Sequence, residues 1–496
     1  MGADHQIAYF LRESARPEPE RRAAALKGLG RIGRAEHARV LTGAADDPAP
    51  SVRAAAALAL GRLGIPEAGQ EVLPRLMADA DTGVRRRASV AAVRLRLDGP
   101  GITRAFTRLL TDPDHRVRIS ALEGLTVLRV PGDVTALAAL LGDPHYGVWG
   151  RARTLLHLCG EDPAVRAELL RTAREGRGAA RARALEWLPT RRTEQLLDSL
   201  LSGLRDPSTA VRIEAARHLF HVEQRQVHDA LGAALRTEEH PEVAARLLGG
   251  LAGQGDDRLR EPALRWLRDP VAGPSAARAL GTLDPGTAAA HLRSALLDRT
   301  LPARTRAAAA RAVGAAGRWD AVWLLLPLLD DPDDDLRAGA LDGLDTLVDN
   351  GLLPWERHPV AWALAAQLAT DERHVWRTRN ALQGLAQALP DVRRLADHAP
   401  SGEILAAALS LLDGDDPADE HACADVRRFL RGLDDPHEPV RHEAVLGLER
   451  WVAATGSLPP DSDGAHSRLT ALTADPSPRL RQATTRLLGA LHTEPK

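Results

Sequence analysis

One pattern recurs along this chain: Asp-Pro, three variable residues, Val or Leu, Arg, then a run rich in Ala and Leu. It reads DPAPSVRAAAALAL from Asp47, DPDHRVRISALEGL from Asp112, DPHYGVWGRARTLL from Asp143 and DPSTAVRIEAARHL from Asp206. Further on come DPDDDLRAGALDGL from Asp331, DPHEPVRHEAVLGL from Asp435 and DPSPRLRQATTRLL from Asp475, with weaker copies at Asp79 and Asp371. The Arg or its substitute falls at 53, 85, 118, 149, 181, 212, 306 and 337, a spacing of 31–33 residues that triples between 212 and 306. A fixed period of this length means stacked units, each too small to bury its own apolar face.

Each period holds an apolar helix such as PEAGQEVLPRLMAD (Pro66 to Asp79), an Asp-containing turn and a second helix. The Asp of the Asp-Pro step is expected to cap that second helix, with Pro in its first turn. Val or Leu before the Arg, the following Ala and the later Leu share one helical face. Gly64, Gly160, Gly317 and Gly456 sit where a left-handed C-terminal cap is expected. The expected architecture is all-α: a single right-handed solenoid of about fifteen helix pairs over residues 1–496. Copies near Val243 and Arg278 are degenerate, a local break is expected near 388–419, and GSLPPDSDGAHS (456–467) reads as a loop insertion.

Composition agrees. The chain is 44% hydrophobic but only 3% aromatic, and Ala, Leu, Arg and Glu are all good helix formers. No apolar run reaches the roughly 18 residues of a membrane span, and the charged start MGADHQIAYFLRESARPEPE lacks a signal core. Two distant cysteines, Cys159 and Cys423, form no disulfide framework, so a reducing cytoplasm is the expected setting. All but Lys27 and Lys496 of the 65 basic residues are Arg; the net charge is −2, with residues 1–248 net positive and the remainder net negative.

The D-P-x-x-x-V-R-x-x-A signature resembles the HEAT-repeat superfamily, most closely the short-repeat class named after the phycobilin lyase subunits. The resemblance implies an Asp–Arg ladder between neighbouring repeats, here through Asp112, Arg118, Asp206 and Arg212. The same class contains deoxyhypusine hydroxylase, whose iron ligands are His-Glu pairs at this repeat position. His442–Glu443 matches one pair, but the equivalent places hold Ala54–Ala55, Ile119–Ser120, Ile213–Glu214 and Gln482–Ala483. Four or more convergent ligands are needed for a di-iron site, so the pair reads as a solvent-side His and Glu. His421, Cys423, His437 and His442 lack zinc-site spacing. His218, His221 and His228 read as a helix end favoured by the dipole, and DDPDDD (330–335) as a capping turn without the Gly and Glu of a calcium loop. Phosphate-loop, dinucleotide and nucleophile-elbow motifs do not occur, and no cofactor is expected.

Two binding readings remain. Alkylpurine DNA glycosylases, also built from HEAT-like repeats, resemble this chain in pairing such repeats with basic surfaces. Arg85, Arg86, Arg87, Arg94 and Arg96 are expected on one helix, and Arg171, Arg174, Arg177, Arg181, Arg183 and Arg191 form a second basic segment that could track a phosphate backbone. Alternatively, Trp319, Trp323, Trp355, Trp362 and Trp376 gather within one stretch, and Trp149 and Trp376 replace the signature Arg. Any one ring is expected to plug a gap between repeats; together they mark a docking region for another protein. The expected function is a non-catalytic protein-binding scaffold. The alternative is a nucleic-acid-binding solenoid, and third comes a metalloenzyme or lyase.

Overall fold

The computed structural model describes residues 3–188, 196–220, 222–252, 257–283, 285–354, 356–412, 421–458, 462 and 464–492. Among them are thirty α-helices and no strand, which group as fifteen helix pairs. The chain divides into two compact units, Met1–Ala230 and Leu231–Lys496. In unit 1 the second helices of successive repeats are Pro19–Ile32, Pro50–Leu63, Thr82–Arg94, His115–Leu128, Tyr146–Leu158, Gly178–Trp187 and Thr209–Leu219. In unit 2 they are Pro241–Leu251, Gly273–Gly281, Ala303–Ala315, Asp334–Asp349, Val375–Leu382, Gly402–Ser410, Glu438–Thr455 and Pro478–His492. Both degenerate copies therefore fold as ordinary second helices. Within each unit the second helices form one layer and the first helices pack on it as another.

The signature explains the packing. Val52, Val84, Val117, Val148 and Val211 are each at most 1% exposed, as are Leu336, Val440 and Leu480. Small residues set how closely the second helices approach: a Cβ added at Gly61 would lie 2.9 Å from the Ala91 Cα. The tightest contact in unit 2 joins Ala303–Ala315 to Asp334–Asp349. There a Cβ at Gly314 would strike the Gly343 backbone, and one at Gly343 would lie 2.7 Å from the Ala310 carbonyl oxygen.

The Asp-Pro turn works differently from the capping expected. Asp47 lies outside the helix Pro50–Leu63, whose N-cap is Ala49, and its Oδ1 accepts the Ala49 N–H at 2.9 Å. Where an aspartate does cap, it is a later one: Asp81 accepts from Val84 and Asp114 from Arg116. The reason is the arginine. Arg53 Nη1 donates to the carbonyls of both Asp47 and Pro48 (2.8 and 3.0 Å), which holds the Asp-Pro step outside the helix. Its Nε and Nη2 reach forward to Asp79 of the next repeat at 2.7 and 2.9 Å.

This forward pair repeats as Arg22–Asp47, Arg85–Asp112, Arg118–Asp143 and Arg181–Asp206 in unit 1, and as Arg337–Asp371 and Arg441–Asp475 in unit 2. At Asp47, Asp79 and Asp112 both carboxylate oxygens are engaged, and such bidentate Arg–carboxylate pairs are the strong kind of ion pair. The hydrogen bonds from Arg53 hold the Asp79 carboxyl below its ordinary value, opposing desolvation, with the Asp81 N–H assisting. A carboxyl depressed in the folded state contributes stability that is complete above its unfolded value of about 3.9, and loses it as pH falls through the lower folded value. Circular dichroism across an acid titration should therefore show the repeats intact to about pH 4 and unfolding below it. Asp79→Asn should be less stable at neutral pH and less acid-dependent. An Asp79→Asn acid profile identical to wild type would remove the ladder as the cause.

Within unit 1 the ladder skips one junction. Between the fifth and sixth repeats Trp149 replaces the Arg, and Glu175 stands at the Asp place, turned to solvent beside Arg171 of its own helix. In place of the ion pair, the Arg183 guanidinium stacks 4.0 Å from the Trp149 ring centroid and donates to the Leu141 carbonyl. A cation–π contact thus takes over where the charge pair is missing.

Glycine caps follow the expectation at Gly64, Gly317 and Gly456, with φ of 78°, 71° and 78°. Gly160 does not adopt a positive φ; its repeat ends on Cys159 instead. Two arginines take the left-handed place elsewhere: Arg96 and Arg129, with φ of 52° and 55°. Across 388–412 regular helices Leu389–His398 and Gly402–Ser410 form, and a cavity of about 450 Å³ opens beside them, lined by Arg379, Leu385, Val392 and Leu411. Residues 413–419 of the expected break, and most of 459–463 in the expected insertion, lie outside the described residues.

Candidate partner-binding surfaces

The tryptophans separate into two kinds. Trp266 and Trp451 are 8% and 6% exposed and fill gaps between helices. Trp319, Trp323 and Trp362 do not: they are 57%, 47% and 69% exposed, contrary to the gap-filling expected of a single ring. Trp319 opens the short 3₁₀ helix Trp319–Ala321, and Trp323 follows one turn later in Val322–Leu325. Trp362 stands on His358–Thr370, the first helix of the next repeat. Leu297, at the end of the preceding first helix Pro285–Leu297, is 60% exposed as well. Trp376 belongs to the other layer, on Val375–Leu382, and its indole N–H donates to Glu403 at 3.3 Å. Trp355 lies outside the described residues.

The basic residues also sort differently from expectation. Arg85 is committed to the ladder, its side chain 12% exposed on Asp112. Arg86, Arg87 and Arg94 point outward from Thr82–Arg94 around the exposed Val90. Arg96 lies beyond that helix, in the left-handed turn. In the second basic segment, Arg171 pairs with Glu168, Arg181 is buried on Asp206 and Arg183 covers Trp149. Arg177 is exposed, and Arg191 falls outside the described residues. Among the described residues of that segment, Arg171, Arg181 and Arg183 are thus committed to contacts within the protein.

An additional row of arginines becomes visible once the repeats are superposed by register. Arg31, Arg62 and Arg94 each stand nine residues after the ladder residues Arg22, Arg53 and Arg85, at the C-terminal end of consecutive second helices. Arg96 and Arg129 stand eleven after Arg85 and Arg118, the place held by Gly64 in the second repeat. A left-handed non-glycine residue costs on the order of 1 kcal/mol. The sequence signal for this row was present, as a fixed offset from the signature Arg.

His442 Nδ1 lies 3.5 Å from Glu443 Oε1 on the first turns of Glu438–Thr455. His437 pairs with Asp435 at 3.0 Å, and Cys423 is exposed. Among the described residues, no three His, Cys, Asp or Glu side chains converge as a metal would need. His218 is not an exposed helix-end charge. It is 1% exposed, its Nε2 lies 2.8 Å from the Leu185 carbonyl of the previous repeat, and burial pushes its pKa down. In the 330–335 run, Asp333 caps the Leu336 N–H at 3.0 Å.

Two stacked layers of helix pairs joined by an Asp–Arg ladder define the class: residues 9–94 match the family model for HEAT repeats. The fold of the chain is that of HEAT-repeat solenoids. Importin beta, crystallised in a polyethylene glycol condition, superposes with a TM-score of 0.66 at 12% identity over 98% of this chain and 82% of its own. Yeast importin-beta (Kap95p) gives 0.52 at 14% identity over 98% and 78%. The karyopherin Kap121p, bound to the extreme C-terminus of the protein phosphatase Cdc14p, gives 0.52 at 12% identity over 98% and 67%. At these identities the likeness is one of fold. No curated protein sequence matches. No described helix is long and apolar enough to cross a membrane.

Proposed function

We propose that this chain is a non-catalytic protein-binding scaffold that docks a protein partner through Trp319, Trp323 and Trp362. The observation that carries the reading is the exposure of three indoles on two consecutive first helices, continued by Leu297. Exposed apolar surface of this kind is the usual mark of an interface, and Trp is the residue most often found to dominate one. The fold supports the reading by analogy: the similar Kap121p structure holds the C-terminus of another protein. Unpaired Cys159 and Cys423 fit a reducing, cytoplasmic setting.

Tagged protein, captured from nuclease-treated lysate at moderate salt, should retain a stoichiometric protein partner. Trp319→Ala/Trp323→Ala/Trp362→Ala should lose it, since a buried hot-spot ring contributes about 2 kcal/mol or more, roughly thirtyfold each. Full retention by the triple variant, or loss of all bound material on nuclease treatment, would sink the proposal.

A further inference from the structure

The second-helix edge of unit 1 carries arginines that folding does not use. Among the described residues, Arg31, Arg62, Arg94, Arg96 and Arg129 have neither an ion pair nor a side-chain hydrogen bond, although the ladder arginines a few residues earlier are all engaged. Four of the five are exposed and Arg62 is half-buried. Of the acids that follow in the adjoining segments, Asp133 spends its carboxylate on the Thr135 and Ala136 N–H groups, while Glu36, Glu67 and Asp98 are exposed and form no ion pair with the row. Arg96 and Arg129 also hold a backbone conformation that disfavours any side chain, at the place where the second repeat uses glycine.

We propose that this edge binds an extended acidic segment of another protein, with a carboxylate at about every third residue opposite one arginine per repeat. The register follows from two lengths. Packed helices lie about 8–10 Å apart, and an extended chain advances about 3.3 Å per residue, so three residues span one repeat. Crossing the four repeats from Arg31 to Arg129 takes about ten residues. Val90 and Val127, 45% and 52% exposed, stand among the arginines and offer apolar contact to the side chains between the acids. The four second helices here carry no Phe, Tyr or Trp on which a base could stack, which favours a peptide over a single-stranded nucleic acid. The site is independent of the tryptophan surface, which lies in the other unit.

The test is fluorescence anisotropy with the full-length protein and a labelled peptide of about fifteen residues, Glu at every third position among Ser and Leu. A peptide of the same composition with its Glu residues contiguous, and a duplex DNA of similar length, serve as comparisons. The spaced peptide is expected to bind most tightly. Arg96→Gly/Arg129→Gly should raise the thermal midpoint, because glycine relieves the left-handed turns, yet weaken the peptide by about tenfold, the sum of two surface charge pairs. Arg31→Glu/Arg62→Glu/Arg94→Glu should abolish binding while leaving the helical content unchanged. Unchanged affinity in the glycine pair, equal binding of the contiguous-Glu peptide, or tighter binding of the duplex would each overturn the proposal.

Discussion

Gly314→Leu should open the stack between the tenth and eleventh repeats. The helices Ala303–Ala315 and Asp334–Asp349 meet there backbone to backbone, and a Cβ at Gly314 has the Gly343 main chain in its way, not a flexible side-chain end. Nothing local can yield, so the helices must separate, and the neighbouring close approaches of Gly339 to Ala307 and Gly343 to Ala310 are lost with them. Overpacking a well-fitted core costs about 1–3 kcal/mol; here the whole interface moves, so about 3 kcal/mol or more is expected. Because stability in a repeat array is a sum of nearest-neighbour terms, the damage should stay local. Hydrogen exchange should show peptides within 303–349 deprotected and those within 19–63 unchanged. Gly314→Ala should give a milder version of the same pattern. Uniform protection in both variants would show that the helices do not approach this closely.

The second large effect is expected at Asp425. Its side chain is fully buried in the first helix Ala422–Gly432 and accepts from Arg393 Nη2 at 2.8 Å and Arg428 Nη1 at 2.7 Å, both arginines being largely buried themselves. Arg428 goes on to Asp397, whose carboxyl its hydrogen bonds hold below the ordinary range. Asp425→Ala takes from two largely buried arginines the buried carboxylate they share, and breaking a buried pair from one side costs about 3–5 kcal/mol. Removing the charges together behaves otherwise: Asp425→Leu/Arg393→Met should recover most of the loss, since an apolar replacement of a buried pair is often neutral. Urea denaturation of the single and double variants measures the difference. A double variant as unstable as Asp425→Ala would mean the loss came from packing and not from orphaned charge.

Much of this fold could be read from residues alone because one signature does three jobs at fixed places. Val52 and its equivalents point inward, Arg53 and its equivalents clamp the turn, and Asp47 and its equivalents receive the preceding arginine. The period thus predicts the helix pairs of both units, including the two degenerate copies. What the signature could not disclose is how a side chain divides its hydrogen bonds. Asp47 looks like a cap until Arg53 is seen holding both carbonyls of the Asp-Pro step. The basic run at Arg85–Arg87 looks uniform, yet its first member is internal and the other two are not. Exposure of the tryptophans was equally hidden: Trp266 and Trp323 both lie on short first helices with apolar neighbours, and only the packing tells a filler from a ring left in water.

The junction at Trp149 bears on how such a chain can change length. Everywhere the ladder runs, each repeat must be followed by one that supplies an acid and preceded by one that supplies an arginine. A repeat deleted or copied in from elsewhere is tolerated only if it brings both halves of that handshake. Between the fifth and sixth repeats the requirement lapses, because Trp149 and Arg183 meet face to face without a carboxylate between them. A foreign repeat spliced in at this seam leaves no buried charge stranded on either side. Within unit 1 it is the place where such an array can be lengthened, shortened or grafted at least cost.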